Sequence, residues 1–397
     1  MNIDFTFYEF FAGGGLARLG LGPGWRCLFA NDIDQKKGRI YRENFRSFDR
    51  LLVEDIHNVR SDDLPERATL AWASFPCQDL SLAGNGKGIH AERSGTFWPF
   101  WELILDLERE GRKPPVVVIE NVVGLLTANK GQDFAKLCAT VSKADYTFGA
   151  LVINADRFVP QSRPRLFIIA VDRGWAIPEE LIQRTQDSPW HTNALIRAFS
   201  GLPKDVQRRW VWWKLPTPDT RVPPLNMLIE KEPTGVVWHS EAETERILSL
   251  MNDVHLGKVR NAQRTGKVHI GTIYRRTRQE NDRSMQRAEV RFDGISGCLR
   301  TPAGGSSRQI VLVVNRDKIR SRLLSPREAA RLMGVDDSYM LPENYNETYH
   351  LMGDAVVVPV ISWLEKHLLR KLVLLQKEMD MGSNVTVEIP DYSLRVA

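Results

Sequence analysis

Cysteine is scarce in this 397-residue chain, with four residues: Cys27, Cys77, Cys138 and Cys298. None forms a Cys-x-x-Cys pair or stands at metal-ligand spacing from a histidine, which argues against a structural zinc site and a disulfide framework. Long apolar runs are also missing. The longest, Ala355 to Leu364, is about half of the ~20 residues that span a bilayer. Met1-Asn2-Ile3-Asp4 begins no basic stretch followed by an apolar run, so no secretory signal is expected. A reduced, cytoplasmic setting without a membrane follows. There is no internal repeat or low-complexity tract.

What is present is ordinary for a globular protein: 43% hydrophobic and 26% charged residues, with length enough for a large α/β domain and a smaller one. The net charge of +5 is unevenly placed. Lys258 to Arg291 holds ten basic and three acidic residues, an excess of +7 that leaves the remainder at −2. Basicity gathered in one segment suits a phosphate-binding surface.

The first part alternates apolar runs with amphipathic stretches, the pattern of a parallel sheet wrapped by helices. Strands are expected at Phe5–Phe11, Arg26–Asn31, Leu70–Ser74, Val116–Glu120, Gly149–Asn154 and Arg165–Val171. Helices are expected at Gly15–Leu21, Gln35–Phe45, Thr96–Glu110 and Gln132–Lys143. After about Trp175 the pattern breaks into prolines, tryptophans and short β-like runs at Val268–Tyr274, Val290–Phe292 and Ile310–Val314. The Trp210, Trp212 and Trp213 cluster suits core packing better than a base platform. Helices return at Ser325–Met333, with Ser325 as cap, and at Ala355–Met379.

Phe11-Ala12-Gly13-Gly14-Gly15 closes a strand and opens a helix, where glycines let a ligand approach the backbone and helix N-terminus. It is not the dinucleotide fingerprint, because the third glycine counted from Gly13 falls on Arg18. A plain strand-to-helix turn would use the same residues. Asp32 ends the next strand, where a carboxylate can bind ribose hydroxyls or merely cap a helix. The order strand, glycines, strand, acid points to a nucleoside-containing ligand.

Phe75-Pro76-Cys77-Gln78 follows a third strand. Its thiol is either a nucleophile at a strand end or an inert buried hydrophobe. Glu120 tips the apolar run Val116–Ile119, and a carboxylate there needs a partner, catalytic or structural. Gln161-Ser162-Arg163-Pro164-Arg165 supplies two alternating arginines for that partnership.

In order, Phe10–Gly15, Asp32, Glu54-Asp55-Ile56, Phe75–Ser81, Arg93–Thr96, Glu120-Asn121-Val122, Gln161–Arg165, Arg327–Gly334 and Gly353–Val358 resemble the motif series of the bacterial DNA cytosine-5 methyltransferases of restriction–modification type. The resemblance implies a Rossmann-like α/β methyltransferase sheet with a smaller, β-rich target-recognition domain. Residues 1–174 plus 316–379 would form the catalytic and cofactor-binding domain, 175–315 the target-recognition domain, and 380–397 a loosely ordered tail.

The same resemblance implies a monomer that binds S-adenosylmethionine and double-stranded DNA, with a cognate restriction endonuclease as genetic partner. Cys77 would add to C6 of a flipped cytosine. Glu120 would act as the acid at N3, Arg165 would hold O2, and Arg163 would orient Glu120. Phe11, Gly13, Gly15, Asp32, Asp55, Ile56, Pro76, Asp354 and Val356 would hold the cofactor. Asp79 to Gly95 resembles a mobile loop that closes over DNA, or is an ordinary connection; Ser81, Lys87 and Arg93 there could meet DNA. In the variable region Arg275, Arg276 and Arg278 could contact phosphate or read guanine, and Gly304 and Gly305 belong to a stretch that approaches the flipped base. RNA cytosine methylation and non-enzymatic DNA binding are the competing functions.

Three residues depart from the family pattern. Leu16 stands where a further glycine is common, Ser74 replaces a usual glycine, and Asp354 replaces a usual asparagine.

Overall fold

The computed structural model describes residues 4–76, 95–219, 221–280, 283–301 and 308–381. The chain divides into two compact units. The first comprises 1–153, 164–217 and 361–397, and the second 154–163 and 218–360.

The first unit holds a seven-stranded sheet built from β1 (Thr6–Phe10), β2 (Arg26–Asp32), β3 (Leu51–Val53), β4 (Leu70–Ala73), β5 (Val116–Val122), β6 (Tyr146–Asn154) and β7 (Pro164–Asp172), in the order β3-β2-β1-β4-β5-β7-β6. Strands β3, β2, β1, β4 and β5 run parallel, whereas β7 runs antiparallel to β5. Phe10 pairs with both Asn31 and Ala73, and Ala73 with Ile119, so four strands end along one edge. The next residues along the four chains (Phe11, Asp32, Ser74 and Glu120, with β5 running on to Val122) are therefore neighbours although distant in sequence.

Continuous apolar runs make these strands, because helices cover both faces of such a sheet. Helix α1 spans Leu16–Leu21, α2 Gln35–Asn44, α3 Phe97–Arg109 and α4 Gln132–Lys143. Helix α3 buries Phe97, Phe100, Trp101, Ile104 and Leu107, one stripe at helical spacing. Asp34 starts α2 by accepting from the Lys36 and Lys37 amides.

Strand β3 was not anticipated; its three residues are too few to show a pattern. The segment after Trp175 departs from expectation more substantially, because residues up to 217 belong to the first unit. Trp210, Trp212 and Trp213 are almost fully buried, and the Val211 amide donates to the Phe148 carbonyl of β6 at 2.7 Å. The tryptophans thus extend the core of the first unit, in line with the packing reading.

The second unit carries an antiparallel sheet of β8 (Val268–Glu280), β9 (Arg283–Arg291), β10 (Ile310–Asn315) and β11 (Lys318–Leu323), in the order β11-β10-β8-β9. Helices Glu241–Ser249 and Asp253–Arg264 pack on it through Ile247, Val259 and Ala262, with Met251 of the connection between them in the same cluster. Residues 316–360, expected with the catalytic domain, lie in this unit because β11 completes the sheet. Ser325 caps helix Pro326–Leu332 in a capping box with Glu328. Glu328 also receives the Arg322 guanidinium bidentately at 2.7 and 2.6 Å, both side chains fully buried.

The single helix expected at Ala355–Met379 is instead α-helical at Val358–Leu364 and Arg370–Met381 with a π-turn at Glu365–Leu369. Buried Glu365 accepts there from Trp25 Nε1 at 2.9 Å. Among the described residues no helix is long and apolar enough to cross a membrane.

Candidate active site

The turn after β1 is built on three consecutive odd-numbered residues with left-handed backbone: Phe11 at φ 57°, Gly13 at 55° and Gly15 at 78°. Glycine takes this conformation without penalty, but Phe11 does so against the preference of an aromatic side chain. Such strain persists only where surrounding contacts over-determine it. Here the Ala12 amide donates to the Asn31 carbonyl at 2.9 Å, and the Phe11 ring packs edge-on against Phe75 at 6.1 Å. A Cβ at Gly13 would meet nothing within 4 Å, so the backbone there faces open space. At Gly15 a Cβ would lie 2.3 Å from the Phe45 ring.

Asp32 locks this turn to the end of β2. One carboxylate oxygen accepts from the Gly13 amide at 2.7 Å and the other from the Asp34 amide at 2.8 Å. Burial raises its pKa, partly offset by Lys37 and these two amides. The next side chain, Ile33, is 65% exposed, an apolar surface beside an acid that sequence reading passed over.

Glu9 was also missed. It is buried within β1, and its carboxylate accepts from the Tyr41 hydroxyl at 2.8 Å and the Arg18 amide at 3.1 Å. Because Gly15 offers no side chain, Glu9 performs the helix-capping task for α1 from the neighbouring strand. Burial pushes its carboxyl up to about 7.

Asp55 starts a short turn at Ile56–Asn58 by accepting from the His57 amide, and its carboxylate pairs with His57 Nδ1 at 2.7 Å. Those two bonds lower its pKa. Ile56 is buried, and the Asp55 side chain keeps 43% of its exposure.

Pro76 is exposed at the end of the chain leaving β4. Asn121 Nδ2 donates to the Phe75 carbonyl at 3.1 Å, fixing the backbone two residues before Cys77. Cys77 itself, with Ser81, Lys87 and Arg93, lies outside the described residues. Of the remaining cysteines, Cys27 and Cys138 are buried. Burial pushes the Cys27 thiol up to about 12 and Cys138 well above its ordinary value, so both stay protonated.

Glu120 and Arg165 meet because β5 and β7 are antiparallel, which sets the end of one beside the start of the other. Val122 pairs with Arg165, and Glu120 shares the Val122 face. Arg165 Nε stands 3.2 Å from Glu120 Oε1, with 17% and 7% of the two side chains exposed. Of the two candidate arginines it is thus Arg165 that stands against the strand-tip carboxylate, whereas the resemblance had set Arg163 to orient Glu120.

Arg163 belongs to the second unit, the division falling between it and Pro164. Its guanidinium donates to the carbonyls of Leu299 at 2.7 Å, Gly353 at 2.8 Å and Ala355 at 2.7 Å, and contacts Cys298 Sγ. Gln161, fully buried, accepts from the Leu299 amide and donates to the Leu332 carbonyl. Asp354 ends helix Tyr345–Asp354 and accepts from the Thr301 hydroxyl. A Cβ at Gly353 would fall 2.8 Å from the Thr301 amide, so this approach requires glycine. Val356 is buried. Gly304 and Gly305 lie outside the described residues.

Tyr274, Arg275, Arg276 and Arg278 all lie on β8. Arg276 and Arg278 share one face, and both reach Glu289 of β9. Arg275 points to the other face, where burial and then the Arg246 and Arg308 charges lower its pKa.

Comparison with known proteins gives the same reading. The chain is 26% identical over 361 residues to the type II methyltransferase M.HhaI of Haemophilus parahaemolyticus, covering 90% of this chain and 92% of that one. It is 24% identical to M.HpaII of Haemophilus parainfluenzae, covering 93% and 90%. Among solved structures, a mutant DNMT2 of Spodoptera frugiperda superposes with a TM-score of 0.59 at 16% identity, over 94% of this chain and all of that one. The S. pombe Dnmt2 methyltransferase gives 0.55 at 17%, over 93% and 99%. The profile of the C-5 cytosine-specific DNA methylases matches residues 5–370, and the chain therefore belongs to that family of S-adenosylmethionine-dependent DNA methyltransferases, its curated relatives being of restriction–modification type.

Proposed function

We propose that this enzyme, acting as a monomer, methylates C5 of a cytosine flipped out of duplex DNA, as the modification partner of a restriction endonuclease. The observation that carries the reading is the Glu120–Arg165 pair at the carboxyl edge of the sheet, on the strand whose Asn121 anchors the chain leading to Cys77.

Cytosine C5 is a weak nucleophile. The Cys77 thiolate adds to C6, forming a C–S bond while the C5=C6 electron pair moves onto C5. Glu120 delivers a proton to N3, where negative charge would otherwise accumulate. Arg165 donates to O2 and holds Glu120 in place at the same time. The resemblance gave the orienting of Glu120 to Arg163, but the Arg163 guanidinium donates to the Leu299, Gly353 and Ala355 carbonyls, and Arg165 takes that task. Once C5 holds the methyl group that the cofactor supplies, Glu120 takes back the N3 proton, a base takes the C5 proton, its electron pair reforms C5=C6, and Cys77 leaves as thiolate. A stacked base is out of reach of these groups, so flipping is required.

The residues present fit S-adenosylmethionine. Gly13 leaves open space beside the backbone, Asp32 supplies a carboxylate for ribose hydroxyls, and exposed Ile33 offers an apolar face to the adenine. Phe11, Gly15, Asp55, Ile56 and Pro76 are assigned to the same ligand, with Asp354 and Val356 assigned by resemblance. When bound, the cofactor supplies C5 with a methyl group carried on a positively charged sulfur.

Incubation with tritiated cofactor and either duplex DNA or tRNA tests the reading. Label is expected in DNA. Label in tRNA alone would move the substrate to RNA, and label in neither would leave a DNA-binding protein without this activity.

A further inference from the structure

The β8–β9 pair extends well beyond the sheet to which it belongs. Strand β10 pairs with β8 only from Val268 to Ile273, whereas β9 follows β8 from Thr272 to Glu280. From Tyr274 onward β8 pairs with β9 alone among the described strands, and Arg276, Thr277, Arg278, Ser284, Met285 and Gln286 are exposed on this ribbon. A two-stranded ribbon has the width that the DNA major groove admits.

Register places Tyr274 opposite Glu289, Arg276 opposite Arg287 and Arg278 opposite Met285, so these side chains share one face. Glu289 divides its two oxygens between the arginines: Arg276 Nη2 lies 2.7 Å from Oε2 and Arg278 Nη2 2.8 Å from Oε1. Arg276 also lies over the Tyr274 ring at 5.4 Å, and Arg300 approaches the same ring at 5.5 Å.

We propose that this ribbon enters the major groove and that Arg276 and Arg278, aligned by Glu289, read guanine. A phosphate anchor works by uncompensated positive charge, and a carboxylate placed between two guanidiniums weakens it. Base reading instead requires a planar donor fork held in one orientation, which Glu289 and Tyr274 provide. Each guanidinium has five N–H donors and gives one nitrogen to Glu289, leaving donors for the guanine O6 and N7 acceptors. Glu289 is a positioning residue: it repels the phosphate backbone and keeps both arginines from settling on it.

This inference rests on the DNA-methylating reading above, and methyl transfer to DNA by the wild-type enzyme tests that reading separately. Binding of the full chain is measured on a duplex carrying the sequence that the wild-type enzyme methylates, identified by bisulfite sequencing. Each guanine of that sequence is replaced in turn by 7-deazaguanine, which lacks the N7 acceptor. Wild type is expected to lose about tenfold or more at one or two guanines. Arg276→Ala or Arg278→Ala should lose affinity for the unmodified duplex and become indifferent to the same replacement. Glu289→Gln, whose exposed partners leave folding intact, should bind unrelated duplexes more tightly, steepen the salt slope by about one, and discriminate less. Wild-type indifference to every 7-deazaguanine would overturn the proposal, as would arginine variants weakened alike on all duplexes. An unchanged salt slope and discrimination in Glu289→Gln would overturn the role of Glu289.

Discussion

Arg165 Nε stands 3.2 Å from Glu120 Oε1, joined across the antiparallel pairing of β5 with β7. A nearly buried carboxylate therefore has its countercharge on the adjacent strand. Breaking such a pair from one side costs about 3 kcal/mol or more, because the remaining charge is left uncompensated. Arg165→Ala should destabilise wild type clearly more than it destabilises Glu120→Gln, as read by urea denaturation. Equal losses in the two backgrounds would mean that the pair is not energetically coupled.

Glu120→Gln keeps the shape of the side chain but cannot supply a carboxylic proton. Single-turnover methyl transfer should fall more than tenfold, about 1.4 kcal/mol in the barrier, while DNA affinity stays nearly constant. A smaller fall in rate would remove Glu120 from the acid role.

Glu9 makes a prediction about pH. Its carboxyl is raised from 4.5 to about 7 by burial inside β1, so ionising it in the folded protein costs roughly 3 kcal/mol. A raised carboxyl favours the fold below pH 4.5, and that contribution is lost as pH rises through about 7. Wild type should therefore lose stability relative to Glu9→Gln between about pH 5 and 7 and then level off. Parallel stability curves for the two proteins would show that Glu9 titrates normally.

By the family resemblance, Asp354 stands in the place of a usual asparagine. A carboxylate assigned to the cofactor site attracts the sulfonium of S-adenosylmethionine and has no such attraction for the uncharged sulfur of the demethylated product. Calorimetric titration of Asp354→Asn should show the cofactor weakened more than the product. Equal changes in both would show that Asp354 does not sense the charge.

Strands β1, β2, β4 and β5 were legible because both their faces are buried, so their sequences are almost unbroken apolar runs. That Glu120 needs a cationic partner from the Arg163/Arg165 pair was legible because a charge at a buried strand tip demands compensation; which arginine meets it was not, since that depends on the β5–β7 register that sets Val122 beside Arg165. Helices Glu241–Ser249 and Asp253–Arg264 escaped notice, although Ser240 with Glu243 forms a capping box and Asn252 caps the second. Their apolar positions are sparse, and the charge of the region drew attention instead. The left-handed backbone of Phe11 could not be read at all, since it depends on Asn31 and Phe75. The carbonyls that hold Arg163 lie 136 to 192 residues away along the chain, beyond any local pattern.

The most direct test of the account is trapping the covalent intermediate. A duplex with 5-fluorocytosine at the target position carries fluorine where the departing proton would be, so elimination of the cysteine is blocked. With S-adenosylmethionine, wild type and Cys298→Ser should each form a denaturation-resistant adduct, and peptide mapping should place the DNA on Cys77. Cys77→Ser should bind cofactor normally and form none. An adduct that persists in Cys77→Ser, or its absence from wild type under conditions where ordinary DNA is methylated, would contradict nucleophilic catalysis by Cys77.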